Sequence, residues 1–278
     1  MIHKTSHFTS ADGLKLFTQS WETKAPLLGV IVLIHGLGEY SGRYVELADH
    51  FTKHGYHVHT FDLRGHGKSE GKKGHTPSYD CLMHDIEQFY TLVQDTYPNL
   101  PLFLYGHSLG GNLAINFLLR KVPDITGVIA TSPALRSNLP TPLWKHVTAL
   151  ILRAIWPSFT VSSGIKAKHV TRSISVEKYY EKDPLVHKQI SVELGLSILE
   201  SGKWAIEHAH EIHAPLYVIH GTEDKITSPL ASEEFIQKAN ETSIFFHLYE
   251  GMAHELHNEP EREKVLKNII AWLDARCA

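Results

Sequence analysis

Short apolar runs recur along the chain, and longer stretches with a helical period separate them. The clearest run, Gly29–His35, consists of Val, Ile and Leu between its end residues and stops at Gly36. A run without alternating polar positions is typical of a strand buried on both faces, as in a parallel sheet. The amphipathic stretch Leu14–Trp21 predicts another strand, at an edge of the sheet. The runs similar to the first are His57–Asp62, Leu102–Tyr105, Gly127–Ala130, Leu216–His220 and Ile244–Tyr249.

Apolar residues recur every three to four positions near residues 44–51, 79–93, 109–118 and 265–273, which predicts four amphipathic helices. Strands that alternate with helices through short connections predict an α/β fold, with a mostly parallel central sheet and helices on both faces. Residues 136–209 lack a comparable buried run. We therefore expect residues 1–135 and 210–278 to form one core domain, with residues 136–209 inserted as a helical lid at the carboxyl ends of the strands.

The composition excludes several classes of protein. The chain has 278 residues, of which 42% are hydrophobic and 21% charged, as expected for a globular protein with a large core. A net charge of −3 provides no basic surface for nucleic acid. Two cysteines, Cys81 and Cys277, are too few for a metal site or a disulfide framework. Without a signal peptide or a membrane-spanning run, we expect a cytoplasmic location, with peripheral membrane association still open.

The strongest chemical motif is Gly106-His-Ser-Leu-Gly110, which fits the pattern G-x-S-x-G. It follows a predicted strand and precedes a predicted helix, which is the context of a nucleophile elbow. Small residues at both ends allow a sharp turn that exposes Ser108. The N–H of Leu109, at the start of the helix, can donate to a developing oxyanion. Ser108 is therefore the candidate nucleophile.

A serine hydroxyl needs a base, and the base needs an orienting acid. In this fold the acid and the base follow the serine in that order. The turn Gly221-Thr-Glu-Asp224 supplies an acid after one predicted strand, and the segment Glu250-Gly-Met-Ala-His254 supplies a histidine after the next. Asp224 and His254 are the favoured pair, but the residues alone leave Glu223 and His257 open as alternatives.

A second oxyanion donor is expected in the loop after an early strand. The loop His35-Gly-Leu-Gly38 follows that strand, and its glycines permit a backbone that aims the N–H of Leu37 at the Ser108 site. We expect His35 to be a structural hydrogen-bonding residue.

Taken together, four segments resemble the α/β-hydrolase superfamily, and within it the monoacylglycerol lipase and lysophospholipase branch of the S33-like serine hydrolases. The likeness runs from about Thr9 to the C-terminus and is weakest in the expected lid. The segments are His35-Gly-Leu-Gly-Glu-Tyr-Ser-Gly-Arg-Tyr44, Asp62-Leu-Arg-Gly-His-Gly-Lys-Ser-Glu-Gly71, Gly106-His-Ser-Leu-Gly-Gly111 and Tyr249-Glu-Gly-Met-Ala-His-Glu-Leu-His257.

The resemblance implies that Asp224 is the acid and His254 the base of a Ser-His-Asp triad. It also implies a polar pocket for the glycerol head group at Glu39, Arg43 and His257. The activity it implies is hydrolysis of monoacylglycerols through an acyl-enzyme, with a lipid ester as substrate and no metal or cofactor. The family often has a smaller residue at the position of Leu37, so the pocket is expected to be narrower here.

Within the expected lid, the segment Leu143–Trp156 is apolar on nearly every side. A helix of this kind is either buried or in contact with lipid, and it is too short to span a bilayer. We expect it to line the path of the acyl chain and to touch a membrane with its outer face. The residues assigned to these contacts are Trp144, Leu150 and Ile151.

Other activities compete with this interpretation. A lysophospholipase, a broad carboxylesterase or a thioesterase would use the same triad. The fold also supports binding proteins without catalysis. A peptidase would need acids for a substrate amine, for which Glu177 and Glu181 are the candidates in the lid.

Overall fold

The computed structural model describes residues 1–139, 142–239 and 243–277. Its centre is an eight-stranded sheet with the order β1-β2-β4-β3-β5-β6-β9-β10, in which all pairs from β4 onward are parallel and β2 is antiparallel to both of its neighbours. The strands are β1 (Ile2–Thr9), β2 (Lys15–Glu22), β3 (Gly29–Ile34), β4 (Tyr56–Phe61), β5 (Leu102–His107), β6 (Gly127–Thr131), β9 (Leu216–Gly221) and β10 (Ile244–Tyr249). The predicted α/β architecture is thereby confirmed.

The sequence prediction was wrong at the first edge of this sheet. The predicted edge strand Leu14–Trp21 corresponds to β2, which lies inside the sheet because β1 covers it along its whole length. Seven of the eight side chains of β1 are exposed, so this strand carries no apolar signal. Its place in the fold comes from backbone pairing with β2.

Helices cover both faces of the sheet and enclose two hydrophobic clusters. One cluster joins Val30, Val32 and Ile34 of β3 to helices of one face, and the other joins Ile31 and Leu33 to helices of the opposite face. This alternation explains why β3 is apolar at every position. The helices are α1 (Val45–Lys53), α2 (Tyr79–Thr96), α3 (Leu109–Lys121), α4 (Leu143–Ile155), α5 (Ile174–Lys182), α6 (Val192–Glu207), α7 (Pro229–Lys238) and α8 (Arg262–Asp274).

The chain between β6 and β9, residues 132–215, forms what we call the intervening segment. Its outer part contains α4, α5 and a two-stranded sheet of β7 (Thr160–Ser162) and β8 (Gln189–Ser191). Helix α6 packs on α3, and its residues Leu194, Ala205 and Ile206 belong to the main hydrophobic cluster. The predicted lid, residues 136–209, therefore includes α6, although this helix packs against the core helix α3. Within the three described ranges, no helix combines the length and hydrophobicity needed to cross a bilayer.

Candidate active site

Ser108 occupies a strained turn between β5 and α3. Its φ of 55° is rare for a residue with a side chain. The turn is possible because the residues two positions before and after Ser108 are glycines: a Cβ on Gly106 would lie 2.2 Å from the carbonyl oxygen of Gly110, and one on Gly110 would lie 2.1 Å from that of Ile34. Local sequence and close packing thus place the Ser108 hydroxyl at the carboxyl end of the sheet.

Asp224 and His254, from the loops after β9 and β10, are joined by a hydrogen bond. The distance from His254 Nδ1 to Asp224 Oδ2 is 2.6 Å, and both side chains are buried. The other carboxylate oxygen accepts hydrogen bonds from the backbone N–H groups of Ile226 at 2.7 Å and Thr227 at 3.0 Å. Asp224 is therefore fixed from both sides.

The electrostatics of this pair follow from burial and proximity. Burial alone would raise the pKa of Asp224, but the charge of His254 and the hydrogen bonds to the carboxylate bring that pKa well below its usual value. Burial would likewise lower the pKa of His254, and the charge and hydrogen bond of Asp224 outweigh it, so that this pKa is raised. The pair therefore favours an ionised Asp224 that stabilises a protonated His254.

The two alternatives left open by the sequence lie in different surroundings. The carboxylate of Glu223 is exposed and pairs with Lys225 at 2.7 Å. His257 is buried, and its ring stacks on Tyr44 with a centroid distance of 5.0 Å. Neither contacts the Asp224 carboxylate in the hydrogen bonds of the described residues. The structure brings Asp224 and His254 together and leaves Glu223 and His257 outside that pair.

Ser108 and His254 line the same cavity at the carboxyl end of the sheet. Among the hydrogen bonds of the described residues, none joins the Ser108 hydroxyl to the His254 ring, and such contacts are often loose when no substrate is bound. The cavity has a volume of about 20 Å³. Its walls are formed by Gly36, Leu37, Glu39, His107, Ser108, Ile226, His254 and Glu255 from the core, and by Ile165, Val170 and Tyr180 from the intervening segment.

Two backbone N–H groups are available beside Ser108. Leu109 is the first residue of α3, so its N–H has no partner within the helix. Leu37 lies in the loop after β3 and lines the cavity. Neither N–H donates to any acceptor in the hydrogen bonds of the described residues. Their role as oxyanion donors stays a prediction.

A buried ion network lies next to the cavity. The guanidinium of Arg43 binds Glu255 through two hydrogen bonds of 2.5 and 2.8 Å and binds Glu39 through a third of 2.5 Å. Burial alone would raise the pKa of Glu255, but the Arg43 charge and hydrogen bonds lower it to about 2. Of the three residues expected to bind a head group, Glu39 lines the cavity, whereas Arg43 and His257 lie outside its lining.

The same network meets the spacing for a metal ion. Ligand atoms of Glu39, His107 and Glu255 lie within 4.8 Å of one another. Arg43 already supplies a positive charge and hydrogen bonds to both carboxylates. We therefore assign the cluster to an ion network and derive no metal chemistry from it.

The residues assigned to acyl contacts lie elsewhere than expected. Trp144, Leu150 and Ile151 of α4 are exposed, the first at 65% and the last at 57%. None of them lines the cavity of Ser108, where Ile165, Val170 and Tyr180 form the apolar wall. The outer face of α4, by contrast, is exposed and apolar as the sequence predicts.

Several contacts hold the intervening segment over the cavity. The Tyr40 hydroxyl donates to Asp183 at 2.8 Å, and the N–H of His187 donates to the carbonyl of Gly38 at 2.8 Å. The Arg43 guanidinium lies 4.7 Å from the ring centre of Tyr180. These contacts join the segment to the loop that contains Leu37.

Residues that support the site through long-range contacts were not predicted from the sequence. Ser132, with a φ of 44°, donates from its hydroxyl to the carbonyl of His254 at 2.8 Å. Glu255 is the main partner of Arg43, 212 positions away in the chain. The position of Glu255 directly after His254 was the available signal for a role at the site. A buried arginine such as Arg43 requires a carboxylate partner, and Glu255 supplies it.

Comparison with known proteins gives a family match, related sequences and related structures. Residues 25–261 match the family described as serine aminopeptidase, S33. The chain is 33% identical over 278 residues to an uncharacterized protein with an abhydrolase domain from Dictyostelium discoideum, covering 99% of this chain and 29% of that protein. It is 27% identical to a monoacylglycerol lipase of Mycolicibacterium smegmatis, covering 96% of this chain and 95% of the other.

The solved structure of Paleococcus ferrophilus monoacylglycerol lipase superposes with a TM-score of 0.87 at 35% identity, covering 94% of this chain and 99% of that one. The family match extends over most of the core and the intervening segment. Ser108 lies at the strand–turn–helix junction that this fold uses for its nucleophile. The chain therefore belongs to the S33 serine aminopeptidase family of the α/β-hydrolase superfamily.

Proposed function

We propose that this protein is a serine hydrolase that cleaves monoacylglycerols into a fatty acid and glycerol. The observation that carries the proposal is the convergence of Ser108, at its strained turn, with a hydrogen-bonded Asp224–His254 pair around one cavity. Relatives named as monoacylglycerol lipases support the choice of substrate.

In the proposed mechanism, Ser108 attacks the ester carbonyl while His254 accepts the hydroxyl proton. Asp224 orients the His254 ring and stabilises its charged form. The N–H groups of Leu37 and Leu109 stabilise the oxyanion. Glycerol leaves with a proton from His254, and a water molecule activated by the same ring then cleaves the acyl-enzyme. Every proton is carried by a residue of this chain, so the sequence of steps requires no cofactor.

The head group is proposed to bind beside the buried ion network. Carboxylates accept hydrogen bonds from hydroxyls, and Glu39 and Glu255 both line the cavity. Arg43 would act by holding these two carboxylates in place. Both ring nitrogens of His257 are buried without a hydrogen-bond partner among the described residues, and His257 lies outside the cavity lining, so its proposed contact with a glycerol hydroxyl requires the cavity to open.

Substrate entry is proposed to require movement of α4, α5, β7 and β8, the outer elements of the lid expected over residues 136–209. The cavity volume of about 20 Å³ is far below the roughly 300–1,000 Å³ that sites for small molecules offer. Opening of the lid would separate Ile165, Val170 and Tyr180 from the core loops. The exposed apolar face of α4 supports peripheral attachment to the membrane that supplies the lipid.

The proposal is tested with a fluorophosphonate probe and a panel of esters. We expect the probe to label wild-type protein at Ser108, and Ser108→Ala to lose labelling and to lower kcat by about 10⁴-fold or more while remaining folded. The panel compares 1-acyl and 2-acyl glycerols with lysophospholipids, thioesters, methyl esters and N-acylated peptides, all of which carry the same acyl chain. Preference for the glycerol esters supports the proposal, and equal turnover of the methyl ester or preference for a lysophospholipid contradicts it.

A further inference from the structure

A second buried histidine contacts the same carboxylate oxygen as His254. His220 is the fifth residue of β9, and its Nε2 lies 3.0 Å from Asp224 Oδ2, the oxygen to which His254 Nδ1 donates at 2.6 Å. The His220 side chain is fully buried. The mechanism above gives this residue no role.

The surroundings of His220 select the form that donates to Asp224. Its Nδ1 lies 2.8 Å from the hydroxyl of Ser232, a buried residue of α7. In a neutral imidazole one nitrogen donates and the other accepts. When the Ser232 hydroxyl donates to Nδ1, the ring proton is on Nε2 and points at the carboxylate. The opposite tautomer would set a lone pair against a carboxylate oxygen.

The two oxygens of Asp224 are held by different groups. Backbone N–H groups hold Oδ1, so that oxygen is fixed by the turn itself. The partners of Oδ2 are side chains: His254, His220 and the hydroxyl of Thr227, which lies 2.8 Å away. The Thr227 hydroxyl has a single proton, for which the carbonyl oxygen of Ser132 at 3.1 Å is a second acceptor, and its oxygen also lies 3.2 Å from His220 Nε2. His220 is thus a second histidine donor to Oδ2 beside His254, and Thr227 is a further donor whose proton has another acceptor.

We propose that His220 is a positioning residue, which holds Asp224 Oδ2 where it meets His254 and is itself oriented by Ser232. This inference rests on the proposed function, since it needs Asp224 and His254 to act as a catalytic pair. A carboxylate that loses this donor keeps its backbone contacts at Oδ1 but is held less firmly at Oδ2. The alignment of His254 with Ser108 is then less well defined, and turnover falls.

The test compares His220→Leu, which removes the donor, with His220→Gln, whose amide N–H reaches a similar position. We expect the Leu variant to lose about 10- to 100-fold in kcat, the range known for removal of outer hydrogen bonds to metal-bound histidines. The Gln variant recovers most of that loss, and Ser232→Ala gives a smaller loss. Binding of the ester, read from KM, changes less than kcat.

The pH profile separates positioning from a general packing effect. With one donor fewer, Oδ2 accepts more strongly from protonated His254, so the acid limb of fluorophosphonate labelling moves to higher pH in the Leu variant and stays in place in the Gln variant. A Gln variant as slow as the Leu variant overturns the inference. If the Leu variant does not fold, wild-type kcat in Ser232→Ala overturns it.

The probe also separates the two proposals. Wild-type protein that is not labelled at Ser108 contradicts the proposed function. A labelled wild type, combined with a folded Leu variant that reacts at the wild-type rate at every pH, contradicts the role of His220 alone.

Discussion

Asp224 and Glu223 are adjacent in the chain but lie in opposite environments. Asp224 is buried and accepts hydrogen bonds from side chains and backbone, whereas Glu223 is exposed and pairs with Lys225. The direction in which each side chain points from this tight turn decides which of the two acids reaches His254. Composition and order along the chain do not encode that direction, so the residues alone favoured Asp224 without excluding Glu223, and only the resemblance to a known family separated them.

The contrast between these two acids gives a paired prediction. Asp224→Asn keeps the volume of the side chain but removes the charge that stabilises protonated His254, and it favours the wrong tautomer of the ring. We expect kcat for ester hydrolysis to fall by about 10³- to 10⁴-fold. Glu223→Gln, the matched control, keeps wild-type kcat. Comparable losses in both variants would contradict the assignment of the acid.

At the scale of elements, the sequence predicted what a local pattern encodes. Strands β3, β5 and β9 are continuous apolar runs because helices cover both of their faces. Strand β1 escaped prediction because it is polar and is placed by pairing with β2. The turn at Ser108 could be predicted because its motif is local, with all its residues close together in the chain. The pairing of Arg43 with Glu255 could not, because it depends on two loops that are distant in the chain and meet only in the fold.

The close packing of α3 predicts an unusual response to alanine. In a helix, Gly→Ala normally stabilises by up to about 1 kcal/mol. In Gly110→Ala the new methyl group would lie 2.1 Å from the Ile34 carbonyl oxygen, so we expect the melting temperature to fall. Gly195→Ala in α6 is the control, because its Cβ would meet Ile190 at 3.5 Å, an ordinary contact. A stabilised Gly110→Ala variant would show that the turn is less constrained than described.

Helix α4 predicts a membrane-binding surface. Its exposed residues include Trp144, Val147, Ile151 and Ile155, and burial of one isoleucine side chain in lipid is worth about 1.5–3 kcal/mol. We expect Ile151→Glu to weaken binding to phosphatidylcholine vesicles by on the order of tenfold or more, measured by co-sedimentation. Leu92→Glu, an exposed leucine of α2, is the matched control and leaves binding unchanged. Equal loss in both variants would exclude a specific role for α4.

At the scale of the whole molecule, the burial of histidines predicts a sensitivity of the fold to acid. The chain has 21 histidines. For ten within the described ranges the pKa is lowered, chiefly by burial, and for His254 it is raised. A histidine with a lowered pKa binds more protons when unfolded, so its contribution to stability is present above about pH 6.5 and is lost below it. The pKa of His254 shifts in the opposite direction, so this residue offsets only part of the loss of stability.

The free energy of unfolding should therefore decrease from about pH 6.5 downward, before most carboxylates are protonated. His66 is suited to test this, because it is fully buried, its pKa is lowered well below the usual value, and its Nε2 has no hydrogen-bond partner among the described residues. In His66→Gln we expect the loss of stability between pH 7.5 and 5.5 to be smaller than in wild type by about 1.4 kcal/mol, from denaturant titrations at each pH. His210→Gln, with a side chain 59% exposed, is the control and retains the full loss. An acid transition that begins only below pH 5, or that His66→Gln leaves unchanged, would assign the sensitivity to carboxylates instead of buried imidazoles.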